Sequence, residues 1–194
     1  FGIEDQDMLF QAARLVVQVM AVHHRCLRLE MDQETFRAHL DLEKRLVNAG
    51  STENAIVEFV DAVQHLLTFD RLAFCERDED EAVIVHVYGQ ITDADCGHRF
   101  PLDEGLAGWV MRRNAPLLIQ DIEEGNYHRP RYTRDEDSRH GLKCFLGIPL
   151  AREGEAWAAL IIESQHAHVY QEKTKDVIVD LVRLLNQSLC RLKT

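Results

Sequence analysis

Three observations predict an α+β domain. Helical apolar patterns occupy both ends of the 194-residue chain, alternating strand patterns lie between them, and two apolar strands form a hairpin near the C-terminus. Strands that follow one another through short turns pair antiparallel, and the apolar face of such a sheet needs helices to cover it. We therefore expect an antiparallel sheet with helices on at least one face.

The first part of the chain is helical in pattern. Residues 3–29 and 36–47 carry apolar side chains at helical spacing, and the second stretch ends before Gly50. The sequence leaves open whether the two stretches form one helix. A further helix begins at Ser51 or Thr52, because either side chain can accept a hydrogen bond from the first-turn amides.

The apolar period changes after residue 70. Strands are predicted over 71–77, 82–89, 98–100, 117–120, 143–152 and 155–165, and helices over 105–113 and 171–192. The last two strands form the clearest hairpin, with its turn at Glu153-Gly154. Both are too apolar to face water on either side, so we expect them to be central in the sheet or covered on both faces.

Composition excludes several classes of protein. The formal net charge of −11 argues against nucleic-acid binding, because phosphates would repel the chain. No apolar run approaches the roughly 18–20 residues that a membrane-spanning helix needs, and no signal peptide is visible. The chain begins at Phe1 and ends within a helical pattern, so we expect it to be a segment of a longer protein.

The cysteines indicate a reducing compartment. They are five in number, widely spaced and without a CxxC pair, namely Cys26, Cys75, Cys96, Cys144 and Cys190. Neither a zinc site nor a disulfide framework is predicted from that spacing. Reduced thiols in a cytoplasmic protein are the expectation.

The two ends of the chain carry similar helical sequence patterns. A shift of 169 residues lays the first helical pattern over the last, and Asp7, Arg14 and Gln18 then meet identical residues. Any two amphipathic helices can align in this way. Alternatively, the first helix closes a preceding copy of the same domain.

The stretch "FPLDEGLAGWVMRRNAPLLIQDIEE" (100–124) has glycines at a spacing that suggests a phosphate-binding loop. It lacks the first glycine of a dinucleotide fingerprint, the Gly-Lys-Ser/Thr of a P-loop and the nucleophile of a catalytic elbow. We expect Gly105 to free the start of a helix and Gly108 to let that helix lie close to the sheet. The amides near Gly105 could hold an anion, although Asp103 and Glu104 oppose it.

The long connection, residues 121–141, is polar and aromatic, and Asp121 stands at its mouth. Its aromatic and basic members are Tyr127, His128, Arg129, Arg131, Tyr132, Arg134 and His140. One interpretation is a lid over an anionic or planar ligand, since connections of this length are often functional. The other is a surface loop whose arginines pair with neighbouring acids. No metal site is predicted, because residues 93–104 resemble a calcium loop but lack its turn glycine.

Three stretches resemble the signature blocks of the GAF domain family: "FPLDEGLAGWVMRRNAPLLIQDI", "GLKCFLGIPLAREGEAWAALIIES" and "VYQEKTKDVIVDLVRLLNQSL". The resemblance covers about residues 51–192. It implies a central antiparallel sheet of about six strands, with the first and last helices on one face. The small helix and the long connection would lie on the other face around a ligand pocket. We therefore divide the chain into a helical segment, 1–50, and a GAF domain, 51–194.

The resemblance also implies a set of ligand-contacting residues. We predict Phe74, Phe100, Leu106, Trp109, Val110, Asp121, Tyr127, Tyr132, Cys144 and Leu146. Asp121-Ile122 resembles the Asp-Ile pair that contacts the chromophore in bilin-binding members. Glu123 stands where those members have proline, and the following loop has no cysteine. Covalent bilin is therefore not expected, whereas a small metabolite or a nucleotide is compatible.

The resemblance implies a sensory module without catalysis of its own. It would bind a small molecule, dimerise through its terminal helices and signal to an output domain in the same chain. A second hypothesis is a ligand-free dimerisation module. A third is a sulfoxide reductase that uses Cys96 and Cys144.

Overall fold

The computed structural model describes residues 3–91, 96–124, 130–133 and 141–193. Within these ranges the helices are α1 (Ile3–Asn48), α2 (Thr52–Leu66), α3 (Gly105–Arg113) and α4 (Glu172–Leu192). The strands are β1 (Arg71–Asp78), β2 (Glu81–Gly89), β3 (Arg99–Pro101), β4 (Leu117–Ile119), β5 (Cys144–Arg152) and β6 (Glu155–Ser164).

The chain divides into two compact units, Phe1–Asp41 and Leu42–Thr194. The two helical patterns at the start of the chain form one continuous helix, α1, which settles the question that the sequence left open. Its last turns belong to the second unit. There Leu42 and Leu46 are buried, because residues four apart share one side of a helix.

Side-chain contacts fix the last turns of α1 to α2 and α4. The Arg45 guanidinium lies 2.5 Å from a carboxylate oxygen of Glu58 and 2.5 Å from one of Asp61, both on α2. The Ser188 hydroxyl of α4 donates to the Leu46 carbonyl at 3.1 Å, and Arg191 donates to the same oxygen at 2.8 Å. The end of α1, α2 and α4 therefore form one layer.

All six strands join one antiparallel sheet in the order β3-β2-β1-β6-β5-β4. This confirms the predicted α+β class. The chain-distant strands β1 and β6 lie at its centre, and β5 and β6 form the predicted hairpin. Both hairpin strands are buried on their two faces over most of their length, as their apolar sequences predicted.

The alternation of side chains along each strand divides the core into two layers. On β5, for example, Leu146 and Ile148 lie on one face of the sheet and Phe145 lies on the other. The first face packs against α2, α4 and the end of α1, and we call it the helix-layer face. The second packs against α3, and we call it the α3 face.

A close backbone approach fixes the start of α3. Gly108 lies so near the preceding turn that an added Cβ atom would stand 2.4 Å from the Leu102 carbonyl oxygen. A glycine is therefore required there, as expected, but its neighbour is this turn and not the sheet.

We expect Gly108→Ala to destabilise the domain by about 1–3 kcal/mol, because the clash is with backbone that cannot rotate away. Helix propensity alone would favour alanine by about 1 kcal/mol, so the sign of the change distinguishes the two effects. Urea unfolding followed by circular dichroism measures it. Gly50→Ala is the control for an added methyl group without a clash, because Gly50 lies outside the helices and no heavy atom lies within 4 Å of its added Cβ. A Gly108→Ala variant as stable as the parent would contradict the packing argument.

Candidate functional site

A buried ion pair lies on the α3 face, at one end of the two central strands of the sheet. Arg71 and Glu163 are directly opposite each other on β1 and β6. The Arg71 Nε donates to Glu163 Oε2 at 2.7 Å, and the two side chains are 1% and 0% exposed. Charges of this kind are costly to remove from water, so they persist in a core only when they are paired.

Residues 130–133 of the long connection lie over this pair. Arg131 Nη1 is 3.6 Å from Glu163 Oε1, and the Arg131 side chain is 9% exposed. The Tyr132 ring centroid is 5.3 Å from the Arg71 guanidinium carbon and 5.2 Å from the centroid of the Phe100 ring. Two guanidinium groups, one carboxylate and two aromatic rings therefore meet where residues 130–133 contact the sheet.

The same short segment holds the start of α3. The amides of Leu106 and Ala107 donate to the carbonyls of Pro130 and Arg131, each at 2.9 Å. Gly105 has φ +64°, and an added Cβ atom would stand 2.3 Å from the Tyr132 carbonyl oxygen. These two first-turn amides therefore bind the connection, and the anion site considered from the sequence is filled by protein carbonyls.

The structure brings five of the ten predicted site residues together on the α3 face. Phe100, Leu106, Val110 and Tyr132 are buried there, and Trp109 is half-buried against the same cluster. Asp121 is half-buried at the end of β4. Their contact with a ligand stays a prediction.

Three predicted residues lie on the opposite side of the sheet. Phe74, Cys144 and Leu146 belong to the helix-layer face, beneath α2 and α4. These three residues cannot line a cavity on the α3 face, because their side chains point away from α3. Cys144 therefore lies on the face of the sheet opposite α3.

Some predicted residues cannot be placed. Tyr127 lies outside the described residues. The same is true of the other aromatic and basic members of the long connection, except Arg131 and Tyr132.

Sequence reasoning missed Arg71 and Glu163. A usable signal was present: Glu163 is a carboxylate near the end of the run "EAWAALIIES", which the sequence already assigned to a strand buried on both faces. A charge in such a strand requires a partner of opposite sign. Arg71, at the start of another apolar strand, was a candidate for it.

The mouth of the long connection carries a cluster of potential metal ligands. Ligand atoms of Asp121, Glu124 and His168 lie within 4.8 Å of one another. Glu124 and His168 are exposed and 3.4 Å apart, and Asp121 Oδ1 accepts a hydrogen bond from the Glu123 amide at 2.8 Å. We assign no metal to this cluster, because contacts within the protein account for its geometry.

Three cavities are lined by described residues, and all three lie away from the α3 face. The most spacious of the three, about 580 Å³, is at the end of the sheet near Asp70 and Ser164. The Asp70 carboxylate already accepts bonds from the Ser164 hydroxyl at 2.8 Å and the Gln165 amide at 2.7 Å. The other two border α4, with volumes of about 170 Å³ and 240 Å³.

The two cysteines of the reductase hypothesis have different environments. Burial raises the pKa of the Cys144 thiol, which favours the unreactive protonated form. Cys96 is exposed in the turn before β3, and its thiol donates to the Val85 carbonyl at 3.4 Å. The arrangement provides no activated thiol at Cys144.

The six-stranded antiparallel sheet carries a helical layer on one face, and α3 with residues 130–133 on the other, which defines an α+β domain. The family model of the GAF domain matches residues 51–189, and the chain belongs to the GAF domain family. GAF domains are sensory and regulatory modules of signalling proteins. No curated protein sequence matches the chain.

Solved structures share the fold. The GAF domain of a phosphoenolpyruvate-protein phosphotransferase from Coxiella burnetii is similar with a TM-score of 0.69 and 22% identity, over 82% of this chain and 94% of that one. The free methionine-R-sulfoxide reductase of Neisseria meningitidis, in complex with its substrate, has a TM-score of 0.68 and 14% identity, over 82% and 90%. The chromophore-binding domain of a bacteriophytochrome from R. palustris has a TM-score of 0.66 and 13% identity, over 84% and 62%. Among the described residues, no helix is long and apolar enough to cross a membrane.

We expect Glu163→Gln to lower the free energy of unfolding by about 3–5 kcal/mol, because it removes one partner of a buried ion pair. Glu155→Gln is the matched control on the same strand. Glu155 is 82% exposed and 3.5 Å from Arg77, so its loss should change stability by less than about 1 kcal/mol. Urea unfolding at neutral pH measures both. Equal effects of the two variants would show that the buried pair does not hold the α3 face.

We expect iodoacetamide to label Cys96 rapidly in the native protein and Cys144 only after denaturation, because Cys96 is exposed and Cys144 is buried. Peptide mapping by mass spectrometry follows each thiol separately. Rapid native labelling of Cys144 would contradict its placement beneath α4.

Proposed function

We propose that this chain is a sensory GAF module that binds a small molecule on the α3 face, beside Arg131 and Tyr132. The observation that carries the proposal is the buried Arg71–Glu163 pair, which is in contact with the long connection. Apolar residues would fill this position at least as stably. Buried charges beneath a long connection are instead typical of binding sites, where they fix the orientation of a ligand.

The composition of the α3 face suits a small metabolite or a nucleotide. Its wall is apolar and aromatic, through Phe100, Leu106 and Val110, and its polar groups are few. This is the usual make-up of a small-molecule site. A guanidinium has five N–H donors, so Arg131 can donate to a ligand and to Glu163 at the same time.

Two of the similar structures support a ligand on this fold. The neisserial reductase is described with its substrate, and the bacteriophytochrome domain with its chromophore. Both share less than 25% identity with this chain, so the chemistry of their ligands does not transfer. The long connection would have to reorganise on binding, because the described side chains beneath it are buried.

The central strands give a route from the site to the terminal helices. β1 and β6 carry Arg71 and Glu163 on the α3 face, and Leu72 and Ile162 against the helix layer. A ligand can alter this layer only if it binds two arrangements of it unequally. We propose that a homodimer passes the change to an output domain in the same protein, in the cytoplasm, where thiols stay reduced.

A ligand-free dimerisation module is the second candidate function. It is favoured by the close packing of the described α3 face, where Phe100, Leu106 and Tyr132 are each at most 2% exposed. Exposed apolar residues along α1 favour it as well, since they are suited to contact with another chain.

The two tryptophans of the chain allow a test of both candidates. Trp109 lies on α3, and Trp157 lies on the helix-layer face, with its Nε1 2.9 Å from Asn186 Oδ1 of α4. Trp157→Phe leaves a reporter of the ligand site, and Trp109→Phe leaves a reporter of the helix layer. For a sensory module, we expect one of cyclic AMP, cyclic GMP, haemin, biliverdin or methionine sulfoxide to shift the emission of both single-tryptophan proteins.

The outcomes of this titration are distinct. A shift of Trp109 alone would show binding without transmission to α4, provided that the compound still raises the thermal unfolding temperature of Trp109→Phe. A shift of Trp157 alone would place the ligand elsewhere. No change in either protein, together with an unchanged thermal unfolding temperature for all five compounds, would favour the ligand-free module.

A further inference from the structure

The first unit of the chain carries a coiled-coil repeat on α1. Apolar residues recur there at alternating spacings of four and three, with one polar residue among them. These positions, which we call the α1 seam, are Met8, Ala12, Leu15, Val19, Val22, Cys26, Leu29, Gln33, Phe36 and Leu40. A repeat of 3.5 residues, rather than 3.6, keeps one stripe against a partner helix along its whole length.

The seam is exposed wherever its side chains are described. Val19 is 60% exposed, Val22 63%, Phe36 61% and Leu40 38%. From Val19 to Leu40 the described apolar residues span about 30 Å, at 1.5 Å per residue, which is more than isolated surface residues would produce. It indicates a helical partner.

We propose that the partner is a second copy of this chain, and that two α1 helices form a parallel coiled coil in register. Gln33 occupies a core position of the repeat and meets its own copy only in this arrangement, which keeps one polar group against another. The charged residues beside the seam also favour a parallel pair. In a parallel pair, residues five apart face each other across the seam, and the sequence places Arg25 with Glu30 and Asp32 with Arg37.

This inference deepens the homodimer of the proposed function and rests on it. The competing arrangement is suggested by Val17 and Met20, which are 65% and 66% exposed but lie outside the seam. If another domain instead enclosed α1 on several sides, Val17 and Met20 would contribute as much to binding that partner as the seam residues do. The two arrangements therefore differ in which of four neighbouring residues bind the partner.

The test compares two double variants of the same helix in the full chain. Val19→Glu/Val22→Glu places carboxylates in the seam, and Val17→Glu/Met20→Glu places them beside it at nearly equal exposure. Sedimentation equilibrium measures the dimer dissociation constant of each. We expect the seam variant to raise that constant roughly 100-fold or more, because its charges would be buried, and the control to change it by less than about tenfold.

Orientation is tested by disulfide crosslinking at single positions. Phe36→Cys lies in the seam and should form a crosslinked dimer under mild oxidation, because a parallel pair in register places the two copies of that residue together. Glu34→Cys lies outside the seam and is the control. Both variants also carry Cys26→Ala and Cys96→Ala, because Cys26 occupies a seam position and Cys96 is exposed, so either native thiol could crosslink two chains. Circular dichroism confirms that each variant keeps its helix content.

Each outcome decides a separate point. A monomeric parent chain would overturn both the homodimer and the coiled coil. A dimeric parent whose seam variant stays dimeric would overturn the coiled coil alone. Dissociation of both double variants would show that α1 is enclosed on several sides, and a dimer without the Phe36→Cys crosslink would overturn the parallel register.

Discussion

Arg71 and Glu163 form the interaction on which the α3 face depends. The two residues are 92 positions apart in the sequence, yet they lie opposite each other on the two central strands, β1 and β6. Their charges are out of water, so the surrounding elements must supply the polar contacts that water would otherwise give. Residues 130–133 meet this requirement with Arg131, and the backbone of the same segment then holds the first turn of α3.

This dependence explains why a short helix and an irregular segment keep fixed positions on the sheet. The carbonyls of Pro130 and Arg131 accept from α3, so the helix start has its hydrogen-bond partners inside the domain. Gly105 allows the backbone approach that these bonds require. A ligand that moved Arg131 would therefore act on the ion pair and on α3 at the same time.

Most elements of the fold were predictable, because their signals are local. The caps, the changes of period and the hairpin turn at Glu153-Gly154 each depend on a few neighbouring residues. The division of the site residues between two faces was not predictable. Phe145 and Leu146 are both apolar, and both faces of β5 are covered, so nothing in that strand shows which residue faces α3. Contacts such as Arg71 with Glu163 depend on strand pairing across the whole domain, which one sequence does not display.

The same double coverage shapes how the module can respond. Adjacent residues of one strand serve opposite layers, as Ala73 faces α3 and Phe74 faces the helix layer. Because both layers are closely packed, a strand cannot shift toward one of them without disturbing the other. The last turn of α1 is hydrogen-bonded to α4 through the Leu46 carbonyl, so a displacement of α4 would move that turn as well. The sheet is therefore a shared wall between the two layers, and a displacement of a central strand would disturb the packing on both of its faces.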